Sequence, residues 1–247
     1  MRTQAVMAGW AVALLIMVPV GLIAQRTGAK LTAEQILDRA AQSEAPSAAR
    51  ARIKTLHMKG QFSAPAQGLQ GSLEIYWKSP NKVLTVQTLP GVGEIRQGFD
   101  GKVGWEKNPL TGLRRLQGKE LEQMKYTSDN TTTIRWRQFV RSPKLQGTQK
   151  VGNFETYVVR ATTIYDASIT FYIDTKQFLT RRIDIEVVMG GGKVSTVQFL
   201  EDYRKVDGIH YPFRIRQQVA GIETIITIQQ VRHNVPLRDS LFQMPKE

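Results

Sequence analysis

The stretch VGEIRQGFDGKVGWEKNPLTGLRRL, residues 92–116, decides the fold because it reverses the chain twice within a short distance. Asp100-Gly101 lies between two runs of strand-type residues, 94–99 and 102–106. An Asp-Gly pair in that setting predicts a two-residue hairpin with a type I′ turn, which needs positive φ at both positions. The segment 108–112, with its proline and its final glycine, predicts a second reversal. Strands joined by turns this short must be antiparallel neighbours.

Composition bounds the class of protein. The 247 residues are 41% hydrophobic, which is enough for one substantial core, and we expect a single domain over residues 31–247. A formal net charge of +13 and a pI near 10.1 favour an anionic partner, which can be nucleic acid, a membrane surface or lipid head groups. The absence of cysteine excludes disulfides, thiolate catalysis and cysteine zinc sites.

The N-terminal residues predict export. Arg2 precedes an apolar run from Ala5 to Ala24, and the polar residues Gln25 and Arg26 follow it. This pattern is typical of a secretory signal, which we place at residues 1–25, and the run is also long enough to remain as an N-terminal membrane anchor. In either case the rest of the chain is expected outside the cytoplasm.

A capped helix follows the signal. Thr32 is the predicted N-cap with Gln35 as its capping-box partner, and Leu31 with Ile36 has the spacing of a hydrophobic staple. The helix carries one apolar face, formed by Ile36, Leu37, Ala40 and Ala41. The segment 43–51 is predicted as a loop or a frayed continuation of this helix.

From residue 53 the apolar residues recur with a period of two, which predicts half-buried antiparallel strands. Between residues 118 and 141 the spacing becomes helical and predicts two short helices, one around Leu121 and one around Trp136. Strand patterns then resume at 144–151, 154–163, 168–174, 178–187, 194–203, 209–217 and 222–232. About a dozen strands rarely form a flat sheet. We therefore expect a mainly β (α+β) fold, in which a strongly curved antiparallel sheet forms an incomplete barrel covered on its concave side by a few helices.

Several segments carry a resemblance to a known family: the strand TLHMKGQF, the hairpin RQGFDGKVGWEKNPLTG, the strand and turn FYIDTKQFLTRR, the segment FLEDYRKVDGIHYPFRI and the tail VRHNVPLRDSLFQMP. In this order they resemble outer-membrane lipoprotein-sorting proteins of the LolA-like superfamily, as a divergent bacterial branch, over residues 31–245. The resemblance implies a periplasmic half-barrel, lidded by helices, that holds acyl chains in its apolar hollow. The arginine that anchors the lid in the lipoprotein carrier has no assigned counterpart in this sequence.

No catalytic constellation is predicted. His57, His210 and His233 fall on separate strands and lack metal-site spacing, so they are interpreted as polar strand-face histidines. The other candidates are interpreted as turn or solvated groups: Asp174, Asp184, Asp202, Asp207, Arg114-Arg115, Arg181-Arg182 and the loop 190–192. We expect no enzyme activity, no metal and no cofactor, and for an exported chain no nucleic-acid partner.

The predicted site is the apolar strand face together with the lid. Its acyl-cavity residues are Met58, Phe62, Leu73, Ile75, Trp77, Leu84, Val86, Trp105, Trp136, Phe139, Ile169 and Phe171. A curved sheet offers more apolar surface than a few helices cover, and an uncovered apolar hollow is commonly a ligand site. The sequence thus predicts a non-enzymatic envelope carrier or sensor for lipid or lipoprotein acyl chains. The alternative is a signal-anchored module that binds envelope proteins and fills its core with its own side chains.

Overall fold

A computed structural model describes residues 30–128, 136–164, 166–189 and 192–246 of the chain. The predicted signal peptide and the glycine loop at 190–191 lie outside the described residues. Three α-helices are present in the described part: α1 (Ala33–Glu44), α2 (Ser47–Ala51) and α3 (Gly118–Ser128). The strands are β1 (Thr55–Ala64), β2 (Leu69–Lys78), β3 (Lys82–Leu89), β4 (Gly93–Phe99), β5 (Gly104–Asn108), β6 (Gly112–Arg115), β7 (Val140–Val151), β8 (Phe154–Thr163), β9 (Ser168–Asp174), β10 (Thr180–Met189), β11 (Gly192–Val206), β12 (Ile209–Val219) and β13 (Ile222–His233).

The strands form one 13-stranded antiparallel sheet in the order β6-β5-β4-β3-β2-β1-β13-β12-β11-β10-β9-β8-β7. Consecutive strands pair throughout, except that β1 pairs with β13 and leaves β6 and β7 as the two edges. Because these edges do not meet, the sheet stays an open, incomplete barrel. The predicted fold class, a mainly β protein with an unclosed antiparallel sheet and a few helices, is confirmed.

The predicted helical region between residues 118 and 141 is only partly correct. Its first half forms α3, but the predicted second helix is a single 3-10 turn, Trp136–Gln138, and Val140 already begins β7. Near the N-terminus the segment after α1 is neither loop nor frayed helix, because Pro46 precedes a separate short helix, α2. The capping box of α1 is present as predicted, with the Gln35 amide donating to Thr32 Oγ1 and the Thr32 amide donating to Gln35 Oε1.

The organising hairpin differs from the predicted two-residue turn. Only Gly101 has positive φ, +99°, and β5 begins at Gly104 rather than at Lys102. The loop is therefore longer, and the Asp100 carboxylate stabilises it by accepting the amides of Lys102 and Val103 at 2.8 and 2.7 Å. An aspartate side chain that bonds the backbone just ahead of it competes with the tight turn, which explains the difference.

Gly101→Val is expected to destabilise the protein by about 1–3 kcal/mol, because a β-branched residue is strained at the φ of +99° that Gly101 adopts. Lys102→Val is the matched control, since it places the same side chain at the exposed neighbouring position. The two variants are compared by urea unfolding. Equal midpoints for the two would mean that position 101 carries no backbone strain.

The register of the strands defines two faces of the sheet. The inner face, which α1 and α3 cover, carries Leu73, Trp77 and Ile183, whereas the outer face carries Leu84 and Trp105. On the inner face α1 packs with β7, β8 and β9 into the largest apolar cluster, with Ile36 and Val159 fully buried. This arrangement turns the apolar stripe of α1 into one wall of an interior space.

Candidate functional site

A cavity of about 470 Å³ lies between α1 and the inner face of the sheet. Its walls are mostly apolar side chains from α1, from the 3-10 turn and from strands β9 to β12. These apolar lining residues include Leu37, Ala40, Ala41, Trp136, Phe139, Ile169, Phe171, Ile173, Ile183, Ile185 and Leu200. A largely apolar cavity of this size falls within the ~300–1,000 Å³ range of small-ligand sites.

The lid helix α1 is tied to the 3-10 turn by its Asp38 carboxylate. Arg137 donates to both Asp38 oxygens, at 2.7 Å to Oδ2, and Trp136 Nε1 donates to Oδ1 at 3.0 Å. The hydrogen bond from Arg137 holds the pKa of Asp38 below its ordinary value. Because Asp38 and Arg137 are both exposed, this ion pair contributes little stability and serves mainly to position Trp136 at the cavity.

Polar groups converge where α1 ends. Glu44 Oε1 accepts the amide of Thr180 at 2.9 Å, and the Tyr203 hydroxyl donates to the Thr180 carbonyl at 2.7 Å. His210 Nδ1 donates to the Ser43 carbonyl at 2.8 Å. Glu44, Tyr203 and His210 all line the cavity, so one end of an otherwise apolar space offers hydrogen-bonding groups.

The acidity of these groups reflects the burial of this end of the cavity. Burial raises the pKa of Glu44, and it raises the pKa of Tyr203 well above its ordinary value. A carboxyl with a raised pKa is held in its neutral form over a wider pH range. The Arg50 guanidinium also lines this end of the cavity, so the polar end offers a cation as well as hydrogen-bonding groups to the polar part of a ligand, such as an ester or an amide.

The twelve residues predicted to line an acyl cavity fall into three groups. Those that line the 470 Å³ cavity are Trp136, Phe139, Ile169 and Phe171. Those that lie on the inner face but outside this cavity are Met58, Phe62, Leu73, Ile75 and Trp77. Those that lie on the outer face are Leu84, Val86 and Trp105.

The prediction that Trp77, Leu84 and Trp105 share one inward face is wrong. Leu84 pairs with Tyr76, the neighbour of Trp77, so Trp77 and Leu84 point to opposite faces. Gly98 pairs with both Leu84 and Trp105, which puts these two on the same outer face. Strand β3 carries apolar residues on both faces, with Val83 on the inner face and Leu84 and Val86 on the outer face, and period-two reasoning cannot say which face is inside when both are covered.

The outer face of strands β2 to β6 is covered by the C-terminal tail, residues 234–246. Phe242 is fully buried against Leu84 and Trp105, and Trp105 Nε1 donates to the Phe242 carbonyl at 2.8 Å. Gly98 allows this packing, because a Cβ there would lie 2.3 Å from the Trp105 ring. Leu84 and Trp105 are thus core residues of a second apolar layer and do not line the cavity.

Arg181, predicted as part of a solvated strand face, is buried. Its side chain is 7% exposed and that of its partner Asp174 is 5% exposed, with Arg181 Nη2 donating to Asp174 Oδ2 at 2.9 Å. The guanidinium also lies 3.7 Å from the centre of the Phe154 ring. Burial by itself raises the pKa of Asp174, but the hydrogen bonds from the Gln177 and Lys176 amides and from Arg181 outweigh it and lower that pKa.

The histidines have separate partners. His57 contacts Glu74 at 2.8 Å, His210 contacts the Ser43 carbonyl, and His233 lies between Asp207 and the Tyr211 hydroxyl, at 2.8 and 2.9 Å. Within the described ranges, no group of three or more His, Cys, Asp or Glu side chains has the geometry to hold a metal ion. None of the helices that the structure describes has the length and apolar character needed to span a membrane.

Several cavity residues were missed by the sequence prediction. Ile183 and Ile185 alternate with polar residues in β10, so their period-two pattern was an available signal. Glu44, Tyr203 and His210 gave no such signal, because their proximity arises only when the end of α1 meets strands far away in the sequence.

An open antiparallel sheet whose inner face is covered by helices around an apolar cavity defines the class of this protein: it has the LolA-like half-barrel fold. The solved structures with this fold include a LolA superfamily protein from Nitrosomonas europaea, with a TM-score of 0.58 and 17% identity over 87% of this chain and 98% of that chain. The predicted resemblance is confirmed at the level of the fold.

Two further solved structures are similar. A DUF1329 family protein from Desulfovibrio piger has a TM-score of 0.62 and 17% identity, covering 85% of this chain and 97% of that chain. A putative outer membrane lipoprotein-sorting protein domain from Vibrio parahaemolyticus has a TM-score of 0.55 and 14% identity, covering 85% and 97%. No protein-family model matches the sequence, and no curated protein matches it.

Proposed function

We propose that this protein is a non-enzymatic carrier or sensor of the cell envelope that binds an acyl chain of a lipid or lipoprotein between α1 and the sheet. The observation that carries the proposal is the apolar cavity of about 470 Å³ with its polar groups gathered at one end. That arrangement matches an amphiphile, whose chain gains from apolar burial and whose linkage to the head group needs hydrogen bonds.

The volume limits how much ligand the cavity accepts. A methylene group takes up about as much space as a water molecule in the liquid, ~30 Å³, so about 470 Å³ holds on the order of fifteen methylenes. This corresponds to one long acyl chain. Each buried methylene contributes ~0.8 kcal/mol before the costs of association are subtracted.

The polar end suggests how the ligand is oriented. The terminal methyl would lie near Trp136 and Phe139, and the ester or amide would lie near Glu44, Tyr203 and His210. The two ends are about two turns apart along α1, since Trp136 bonds Asp38 whereas Glu44 is the last residue of the helix.

The location and partners follow from the same proposal. Residues 1–25 would direct the chain out of the cytoplasm, as a cleaved signal or as an anchor, and residues 31–247 would act in the periplasm as one LolA-like domain. The formal charge of +13 favours anionic membrane surfaces, where such a ligand is collected or delivered. Inner- or outer-membrane envelope proteins are the expected donors and acceptors.

Native mass spectrometry of the protein purified from an envelope fraction is expected to show one co-purifying lipid per chain, because a cavity this apolar is filled during preparation. The mass of the polypeptide in the same spectrum shows whether the signal peptide has been removed. Cleavage near Gln25 supports a periplasmic product, and an intact Met1 supports an anchor. A cytosolic product would contradict the proposed location.

A lipid-free spectrum does not by itself decide against the carrier, so a fluorescent fatty-acyl probe is titrated into the same protein. Failure to bind both native lipid and probe would contradict the carrier and favour the interaction module, whose cavity would serve no ligand.

A further inference from the structure

A second pocket, of about 680 Å³, lies on the outer face between strands β4 and β5 and the C-terminal tail. The sheet itself separates this tail pocket from the cavity under α1, because its wall residues Arg96 and Trp105 belong to the outer face. One side of the pocket is apolar, formed by Trp105, Leu241 and Met244. Nothing in the proposed acyl site uses these residues.

Arg96 forms the polar side of the tail pocket, and it has no carboxylate partner among the residues that the structure describes. Its cross-strand neighbours on the outer face are Val86 and the like-charged Lys107. The Arg96 Nε atom is buried, and it has no hydrogen-bond acceptor among the described residues. A buried guanidinium donor without an acceptor is costly, and arginines elsewhere in this protein, such as Arg181, meet a carboxylate.

The other charged residues that line the pocket are also positive. Arg238 and Lys246 line it together with Arg96, and none of the described lining residues is acidic. A guanidinium presents several N–H donors in one plane, which matches the oxygens of a phosphate or a carboxylate. The tail pocket therefore combines an unsatisfied anion-binding group, excess positive charge and an adjoining apolar wall.

We propose that the tail pocket binds an anionic oxyacid group, phosphate or carboxylate, carried on an apolar stem, with Arg96 as the group that binds the anion. The anion contacts Arg96, and the stem packs against the half-buried side chains of Leu241 and Met244. Such a site lets the protein hold the head group of an anionic amphiphile on its outer face while the cavity under α1 is empty or filled.

The test is isothermal titration calorimetry of the purified protein with soluble dihexanoyl phosphatidic acid at low ionic strength. Arg96→Gln is expected to weaken binding about tenfold or more, because hydrogen bonds to a charged group are lost. Arg96→Lys keeps the charge without the planar fork and should recover part of the affinity. Lys107→Gln removes the same charge from the neighbouring exposed position and is the matched control, with an expected change below about threefold.

Two further ligands show which chemical groups the tail pocket recognises. Dihexanoyl phosphatidylcholine, with no net charge, is expected to bind at least tenfold more weakly than the phosphatidic acid. Inorganic phosphate is expected to bind weakly, since it has no stem; binding as tight as that of the lipid would overturn the amphiphile and leave a free-anion site.

The cavity under α1 is the main alternative binding site for the phosphatidic acid, and the Ile183→Glu variant distinguishes the two sites. This variant changes the cavity under α1 and is expected to leave the phosphatidic acid affinity unchanged. Loss of phosphatidic acid binding in Ile183→Glu, together with wild-type binding in Arg96→Gln, would overturn the tail-pocket site. Equal affinities of the wild type, Arg96→Gln and Lys107→Gln would overturn it as well. Thermal melting of each variant confirms that it is folded when titrated.

Discussion

Leu84→Glu is expected to unfold the protein, whereas Ile183→Glu is expected to leave it folded and unable to bind an acyl chain. Both changes put a carboxylate in place of an apolar strand residue, so the chemistry of the substitution is matched. The difference arises from what each side chain faces: Leu84 faces the packed outer layer, and Ile183 faces the cavity.

Leu84 has no access to solvent and lies against Trp105 and Phe242. A carboxylate at this position cannot be hydrated unless the C-terminal tail detaches, which would expose the large apolar side chains that it now covers. Since an isolated buried charge costs several kcal/mol or more, the free energy of unfolding should fall by at least ~3 kcal/mol.

Ile183 is half-buried on β10 and lines the cavity beside Phe171 and Gln198. Water can enter an empty cavity and hydrate a new carboxylate, so the loss of stability should remain below ~2 kcal/mol. A bound chain would exclude that water and leave the charge unpaired, so the affinity for a fluorescent fatty-acyl probe should fall by more than about tenfold.

Urea unfolding and a probe titration are measured on both variants. A wild-type unfolding midpoint for Leu84→Glu would contradict the outer-face core. An Ile183→Glu variant that stays folded and binds the probe with wild-type affinity would contradict the cavity as the acyl site.

Asp174→Asn should give the second large effect, a loss of about 3 kcal/mol or more in the free energy of unfolding. The substitution keeps the shape of the side chain but leaves the buried Arg181 guanidinium without its negative partner, and removing one member of a buried ion pair typically costs ~3–5 kcal/mol. Two other contacts of Arg181 reduce this loss of stability: Gln177 Oε1 accepts a hydrogen bond from Arg181 Nη2 at 2.6 Å, and the Phe154 ring lies against the guanidinium.

The same pair predicts a pH dependence. Because the pKa of Asp174 is lower in the folded protein, its contribution to stability is fully present above the unfolded-state pKa of about 4 and is lost as the pH falls through the folded-state pKa. Urea midpoints measured from neutral pH down to pH 3 should fall more steeply for the wild type than for Asp174→Asn.

Asp202→Asn is the control, because Asp202 and Arg204 form an exposed ion pair. Exposed pairs contribute little, so this variant should unfold close to the wild type at every pH. If Asp174→Asn behaved like Asp202→Asn, Arg181 would have to be hydrated, and the buried pair would not stabilise the fold.

Much of the fold could be predicted from local patterns. The alternation of Leu73, Ile75 and Trp77 with polar residues located β2, and the pair Thr32 and Gln35 located the start of α1, because both signals depend only on neighbours in the sequence. The prediction of a type I′ turn at Asp100-Gly101 was wrong, also for a local reason. The aspartate side chain accepts hydrogen bonds from two backbone amides and stabilises a longer loop.

The candidate site was only partly predictable. Phe139 and Phe171, which were predicted as cavity residues, line the cavity under α1, whereas Trp105 lies on the opposite face of the sheet from Trp77. An alternating pattern shows that two residues share a face but not whether that face is inside. In β3 both faces carry apolar residues, since α3 and α2 cover the inner face of this part of the sheet and the C-terminal tail covers the outer face.

The sequence by itself determined the approximate number and limits of the strands, the capped lid helix and the antiparallel class, because these follow from periodicity, capping and turn chemistry along the chain. Only the tertiary structure decided that β1 pairs with β13, that Glu44 meets Thr180 and that Phe242 covers Leu84. Each of these contacts joins residues far apart in the chain. Their formation depends on the free energy of burying surfaces that no local segment contains.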